Sequence, residues 1–134
     1  MDCSKNKYYR MKQKSFSLRS RLGSFRYAWF GLRRFFRDEH NARVHLAATI
    51  ALAALIAWLK PTAGELATLL IVAGMVWLAE LFNTATEKTL DLVSKEQQSE
   101  IGYIKDLAAA AVLVASLTAA GVAAIILIPK MSHL

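Results

Sequence analysis

The chain is 134 residues long, 55% hydrophobic and 20% charged, with a formal net charge of +7 and a pI near 9.8. A positive mean hydropathy over so short a chain requires stretches that are apolar all round, which excludes an ordinary soluble domain and points to lipid. Low glycine and proline exclude collagen-like and low-complexity chains, the apolar content excludes intrinsic disorder, and a lone cysteine with scattered histidines excludes an internal disulfide or a structural zinc site.

Residues 1–15 form a polar, basic tail that is expected to be disordered, followed by a single membrane domain over 16–130. Between about 17 and 38, Leu18, Leu22, Phe25, Trp29, Leu32 and Phe36 recur at helical spacing, with Arg19, Arg26, Arg33 and Arg37 on other faces. That pattern predicts an amphipathic helix lying on an anionic membrane surface, with a protein partner as the competing reading of its apolar face. No continuous apolar segment of the secretory-signal kind precedes it. Residues 1–45 hold twelve of the seventeen Lys and Arg against three acids. Such a surplus suits nucleic acid or an anionic bilayer, and the apolar sequence that follows selects the bilayer, with no nucleic acid expected as partner.

Three membrane spans are predicted, over about 43–60, 65–93 and 104–129. The first, Val44 to Leu59, is interrupted only by His45 and Thr49 and ends in Trp58 and Lys60, an interfacial anchor before the turn at Pro61. The second is apolar from Leu66 to Phe82 except for Glu80 and continues helically into polar sequence, so it starts in lipid and emerges into water. The third, Leu107 to Ile128, is twenty-two residues without a charge, about 33 Å as a helix. Lys and Arg concentrate in the leader and in the loop from about 83 to 106, which the positive-inside rule places in the cytoplasm, N-terminus included. The fold expected is all-α: a surface helix and three transmembrane helices.

No phosphate-binding glycine loop, nucleophile elbow or H-E-x-x-H motif occurs. What carries chemistry is the cytoplasmic end of the second span, where Glu80, Asn83, Glu87 and Asp91 fall within about 80° of one helix face. A solvated face accounts readily for Asp91. Glu80 lies among Trp77, Leu78, Leu81 and Phe82, where an unpaired charge is expensive, so it is a functional candidate unless Arg or Lys from the leader pairs with it. Glu39, before the first span, shares this level, and hard carboxylate oxygens suit Mg²⁺ bridging nucleotide phosphates. Lys105 and Asp106 at the entry of the third span add a cation of the kind that meets phosphate. Phosphoryl transfer to a lipid alcohol and a small cation channel or transporter subunit with a glutamate-lined mouth both fit. Acids gathered at one mouth, rather than part-way through the bilayer, favour the transferase.

The stretch Glu80-Leu81-Phe82-Asn83-Thr84-Ala85-Thr86-Glu87-Lys88-Thr89-Leu90-Asp91, followed by Ile104-Lys105-Asp106 and a small-residue helix, resembles the signature of the bacterial integral-membrane diacylglycerol and undecaprenol kinases. Tyr27-Ala28-Trp29-Phe30-Gly31-Leu32 resembles the surface-helix segment, and Glu39 falls where that family has an acid before the first span. The resemblance covers about residues 20–128. It implies a homotrimer in the bacterial inner membrane that uses ATP and Mg²⁺ to phosphorylate a lipid alcohol, with sites formed between subunits.

Carried onto this chain, the resemblance implies Glu80 as catalytic base and Glu39 and Glu87 as metal-binding carboxylates. It implies Tyr27, Asn83, Lys105 and Asp106, with Glu39 and Glu87, as the nucleotide site. Glu96-Gln97-Gln98 departs from a Tyr-His pair in the corresponding loop. Glu39-His40-Asn41-Ala42-Arg43-Val44-His45 looks closer to the undecaprenol kinase branch, and His45 is read as shaping the lipid pocket or as bonding locally.

Overall fold

The computed structural model describes residues 18–93 and 98–132, with side chains from Gly23 onward. The basic tail over 1–15 and the loop residues 94–97, Glu96 and Gln97 among them, lie outside the described residues, as do the side chains of Leu18 and Leu22. Every described element is helical: α1 (Leu18–Asp38), α2 (His40–Leu59), α3 (Ala63–Val93) and α4 (Ser99–Met131). The chain divides inside α1 into two compact units, residues 1–34 and 35–134.

In the first unit α1 exposes the stripe expected of it, with Phe25 75%, Trp29 66% and Leu32 37% exposed. Arg26 turns its guanidinium over the Phe30 ring, 5.8 Å from the centroid.

In the second unit α2, α3 and α4 are each long and apolar enough to cross a membrane. Short connections make successive helices antiparallel, and α3 packs chiefly against α4. The helices begin before the expected spans, α2 at His40 rather than 43 and α4 at Ser99 rather than 104. A polar first turn precedes each apolar run, and hydropathy does not register it. The α2–α3 turn places Lys60 at φ 47°, in the left-handed region, with its N–H bonded to Ile56 O at 3.0 Å before Pro61 stops the helix.

The start of α3 carries a capping box. Thr62 is the N-cap; its N–H and hydroxyl both donate to Glu65 Oε2, at 2.7 and 2.9 Å, and its hydroxyl accepts the Glu65 N–H at 3.4 Å. Lys130 near the end of α4 also reaches Glu65 Oε2, at 3.0 Å, tying α4 to α3 at this end of the unit.

Burial within one chain is sparse. Phe35, Ala42, Leu69, Val76 and Leu127 are its buried apolar residues among those described, and only a small part of each span is buried. On α3, Leu69, Val76, Glu80 and Asn83 are the buried residues, separated by 7, 4 and 3 positions. They share one face. The first half of the acidic stripe, Glu80 and Asn83, therefore continues the face that α3 turns inward, whereas Glu87 is half-buried and Asp91 at its end is exposed.

Candidate functional site

The polar residues gather at the end of the second unit where α2 begins, α3 ends and α4 begins. Glu39 is the one non-helical residue between α1 and α2, with extended backbone (φ −102°, ψ 125°) and its N–H bonded to Phe35 O at 2.9 Å. Its side chain makes no cap hydrogen bond to α2. It turns instead to α3, where Lys88 Nζ lies 2.8 Å from Glu39 Oε1. Arg37 and Asp38 lie beside it, and the hydrogen bond and charge of Asp38 raise the Arg37 guanidinium above its ordinary pKa.

Glu80 is 2% exposed and Asn83 7% exposed. The Glu80 carboxylate meets an imidazole: His45 Nε2 on α2 is 2.8 Å from Glu80 Oε1. The contact is not aligned as a hydrogen bond, and Oε1 has no hydrogen-bond donor. One turn along α3, Asn83 Nδ2 donates to Glu87 Oε1 at 3.2 Å, while Asn83 Oδ1 likewise has no donor. Two buried acceptor oxygens on one face therefore keep their lone pairs, a state that costs about 1–3 kcal/mol per group unless a donor or cation arrives.

An aromatic wall backs this point. Trp77 lies one turn before Glu80 and packs edge-on against Phe36 (5.3 Å between centroids), Phe35 and His45 (both 6.4 Å). Its indole N–H donates to Thr49 Oγ1 at 3.1 Å, and Thr49 Oγ1 donates back to His45 O at 2.7 Å. Two rungs thus cross from α2 to α3, His45 to Glu80 and Thr49 to Trp77, running in opposite chain directions as antiparallel helices require.

The sequence-derived residues distribute unevenly. Glu39, Asn83, Glu80 and Glu87 occupy the facing ends of α2 and α3 as described. Lys105 is engaged by Asp91, Nζ to Oδ1 2.6 Å, a link from α4 to α3 across the intervening loop. Asp91 is thus paired at the surface, and Asp106 is exposed. Tyr27 lies in the first unit, 73% exposed. Among the described residues the partner of Glu80 is His45 on α2.

Lys88, Thr49 and Trp77 stand in the sequence without an assigned role at the site. The signal available was that His45 and Thr49, the interruptions of an otherwise apolar run, stand one helical turn apart and so face one neighbour.

Among the described residues no group of three or more His, Cys, Asp or Glu side chains is assembled to hold a metal. The donor chemistry still suits a hard cation. Mg²⁺ is commonly held by one or two carboxylates together with substrate phosphates, and Glu39 and Glu87 offer two carboxylates at this end of the helices.

Comparison with known proteins places these residues in context. The family profile described as prokaryotic diacylglycerol kinase matches residues 26–127, a stretch that includes Tyr27, Glu39, Glu80, Asn83, Glu87, Lys105 and Asp106. The chain is 36% identical over 114 residues to a diacylglycerol kinase of Synechocystis sp., covering 84% of this chain and 65% of the relative. Diacylglycerol kinases of Escherichia coli K12 and Shigella flexneri are each 30% identical over 93 residues, 69% of this chain and 76% of theirs. The chain thus spans a little under two thirds of the Synechocystis protein's length.

Proposed function

The chain belongs to the prokaryotic diacylglycerol kinase family, and on that footing we propose that it is a membrane lipid kinase transferring the γ-phosphate of ATP to the hydroxyl of a lipid alcohol. The observation that carries this reading is the Glu80 carboxylate. It is buried where the polar stripe meets the apolar part of α3, and its Oε1 lacks a hydrogen-bond donor. A lipid hydroxyl arriving at that depth supplies the missing donor, and the carboxylate takes its proton as the lipid oxygen bonds to phosphorus. The bond from the γ-phosphorus to the β–γ bridging oxygen breaks, ADP leaves, and the proton passes from Glu80 to water.

Glu39 and Glu87 are the residues to hold Mg²⁺, which when bound supplies charge neutralisation on the phosphates. Asn83 orders Glu87 through its amide, and its own free oxygen remains available to a donor on substrate. Lys105, carried by Asp91, offsets phosphate charge from the α4 side. Tyr27 and Asp106 are each assigned to nucleotide binding by family likeness alone.

Trimerisation is proposed on the same likeness and on the sparse burial of the spans in the single chain, whose apolar surface needs lipid or further copies to cover it. The distribution of Lys and Arg supports an inner-membrane protein with a cytoplasmic N-terminus and site, and the exposed Phe25, Trp29 and Leu32 suit a helix lying on that surface.

The relatives named above are diacylglycerol kinases, whereas the segment Glu39 to His45 looks closer to undecaprenol kinases. The acceptor class common to both is a single hydroxyl at the bilayer interface. The test is to supply purified protein with Mg-ATP and, separately, diacylglycerol and undecaprenol in mixed micelles, and to follow labelled lipid phosphate. Phosphorylation of either supports the reading and identifies the acceptor. Absence of both products, with ion leakage through reconstituted vesicles, overturns it in favour of a conduit.

A further inference from the structure

We propose that His45 is the positioning residue for Glu80, fixing the carboxylate from the neighbouring helix so that its free lone pair faces the acceptor hydroxyl. This rests on Glu80 being the base of the proposed kinase. Glu80 is 2% exposed, and no side-chain hydrogen bond holds its Oε1. A buried carboxylate oxygen that lacks a donor is costly to keep. The contact it does have is the imidazole, Nε2 to Oε1 2.8 Å.

His45 is itself well fixed. Its ring packs against Trp77 at 6.4 Å between centroids, at 70° between ring planes, and its backbone carbonyl accepts the Thr49 hydroxyl, which in turn accepts the Trp77 indole N–H. Trp77 and Glu80 stand one turn apart on α3, as His45 and Thr49 do on α2. The indole therefore registers the two helices at one rung, and this register sets the imidazole against the carboxylate at the next. A carboxylate offers about four acceptor sites, so the imidazole beside Oε1 leaves acceptor capacity for the lipid hydroxyl. His45 is thus assigned the task of orientation, and proton acceptance stays with Glu80.

The test compares His45→Leu and His45→Gln with the unaltered protein in the lipid-phosphate assay. Leu keeps bulk against Trp77 and removes the polar edge, and Gln restores a polar edge of similar reach. His45→Leu should lower kcat on the order of 10- to 100-fold, the cost of a misplaced reacting group, with KM for ATP and lipid changed less than about twofold. His45→Gln should recover most of the loss. Unchanged kcat in His45→Leu, equal loss in both variants, or a loss confined to KM each overturns the assignment.

A readout without turnover stands beside these. With ¹⁵N-labelled histidine, the His45 imidazole resonances should move in Glu80→Gln while those of His40 stay in place. Coincident His45 spectra in the two proteins would refute the contact. Should Glu80→Gln retain turnover, the base assignment fails by itself. If Glu80→Gln is inactive and His45→Leu is not, only the positioning role falls.

Discussion

Lys88 closes an ion pair with Glu39 at 2.8 Å, reaching from the polar end of α3 to the single residue that separates α1 from α2. Under the proposed function that carboxylate binds the metal, so the lysine ammonium occupies the place of a competing cation. Lys88→Met removes the competitor while keeping the length of the side chain. Mn²⁺, followed by electron paramagnetic resonance as a substitute for Mg²⁺, should bind about two- to fivefold more tightly, the range expected from losing one solvent-exposed pair. The gain should shrink as ionic strength rises, since the pair is open to salt. Affinity equal to that of the unaltered protein would remove Glu39 from the metal site.

Glu80→Gln is the direct check on the base. The amide has nearly the shape of the carboxylate and fits the same buried position, but it accepts no proton at working pH. Turnover of the lipid should fall by at least about 10²-fold, the lower end of what general base catalysis contributes, with a melting temperature equal to or above that of the unaltered protein. Stability is not expected to suffer, because removing a buried charge also removes its desolvation cost. Retention of most activity would sink the assignment.

The architecture was legible in the hydropathy pattern because an apolar run long enough to cross a bilayer has few alternatives to a helix. Val44–Leu59, Leu66–Phe82 and Leu107–Ile128 fall within α2, α3 and α4. Pairings between helices were not legible. Which residue of α2 meets Glu80 depends on axial register and rotation between α2 and α3, and apolar runs of near-uniform Leu and Ala leave both undefined. The register is instead set by sparse polar contacts, above all Thr49 with Trp77. Lys88 has no role assigned in the sequence for a related reason: it follows Glu87 directly, and its partner lies 49 positions earlier in the chain.

That register is measurable. Trp77→Phe keeps the aromatic packing against Phe36 and loses the indole N–H, and Thr49→Val removes its acceptor with little change of shape. Each substitution should cost about 0.5–1.5 kcal/mol, the net worth of one hydrogen bond. The double variant should cost little more than either, because the two losses concern the same bond. Thermal unfolding in detergent gives the cycle. Strict additivity would mean that the indole and the hydroxyl contribute independently, and that the rung between α2 and α3 does not exist in the folded protein.

At the opposite end of α3 the capping box offers a control remote from the candidate site. Thr62 satisfies the start of the helix through both its backbone N–H and its hydroxyl, and Glu65 Oε2 gathers these donors together with Lys130 of α4. Thr62→Ala abolishes the hydroxyl bonds in both directions and leaves the backbone N–H with Glu65. The melting temperature should fall by about 2–5 °C, as for a lost N-cap in a chain of this size, while kcat at a permissive temperature stays unchanged. Lys130→Met should move the melting temperature less, since it leaves the helix start capped and removes one partly exposed pair. A larger drop in Lys130→Met than in Thr62→Ala would reverse that order. The junction would then owe its stability to the bridge between α3 and α4, with the cap a minor part.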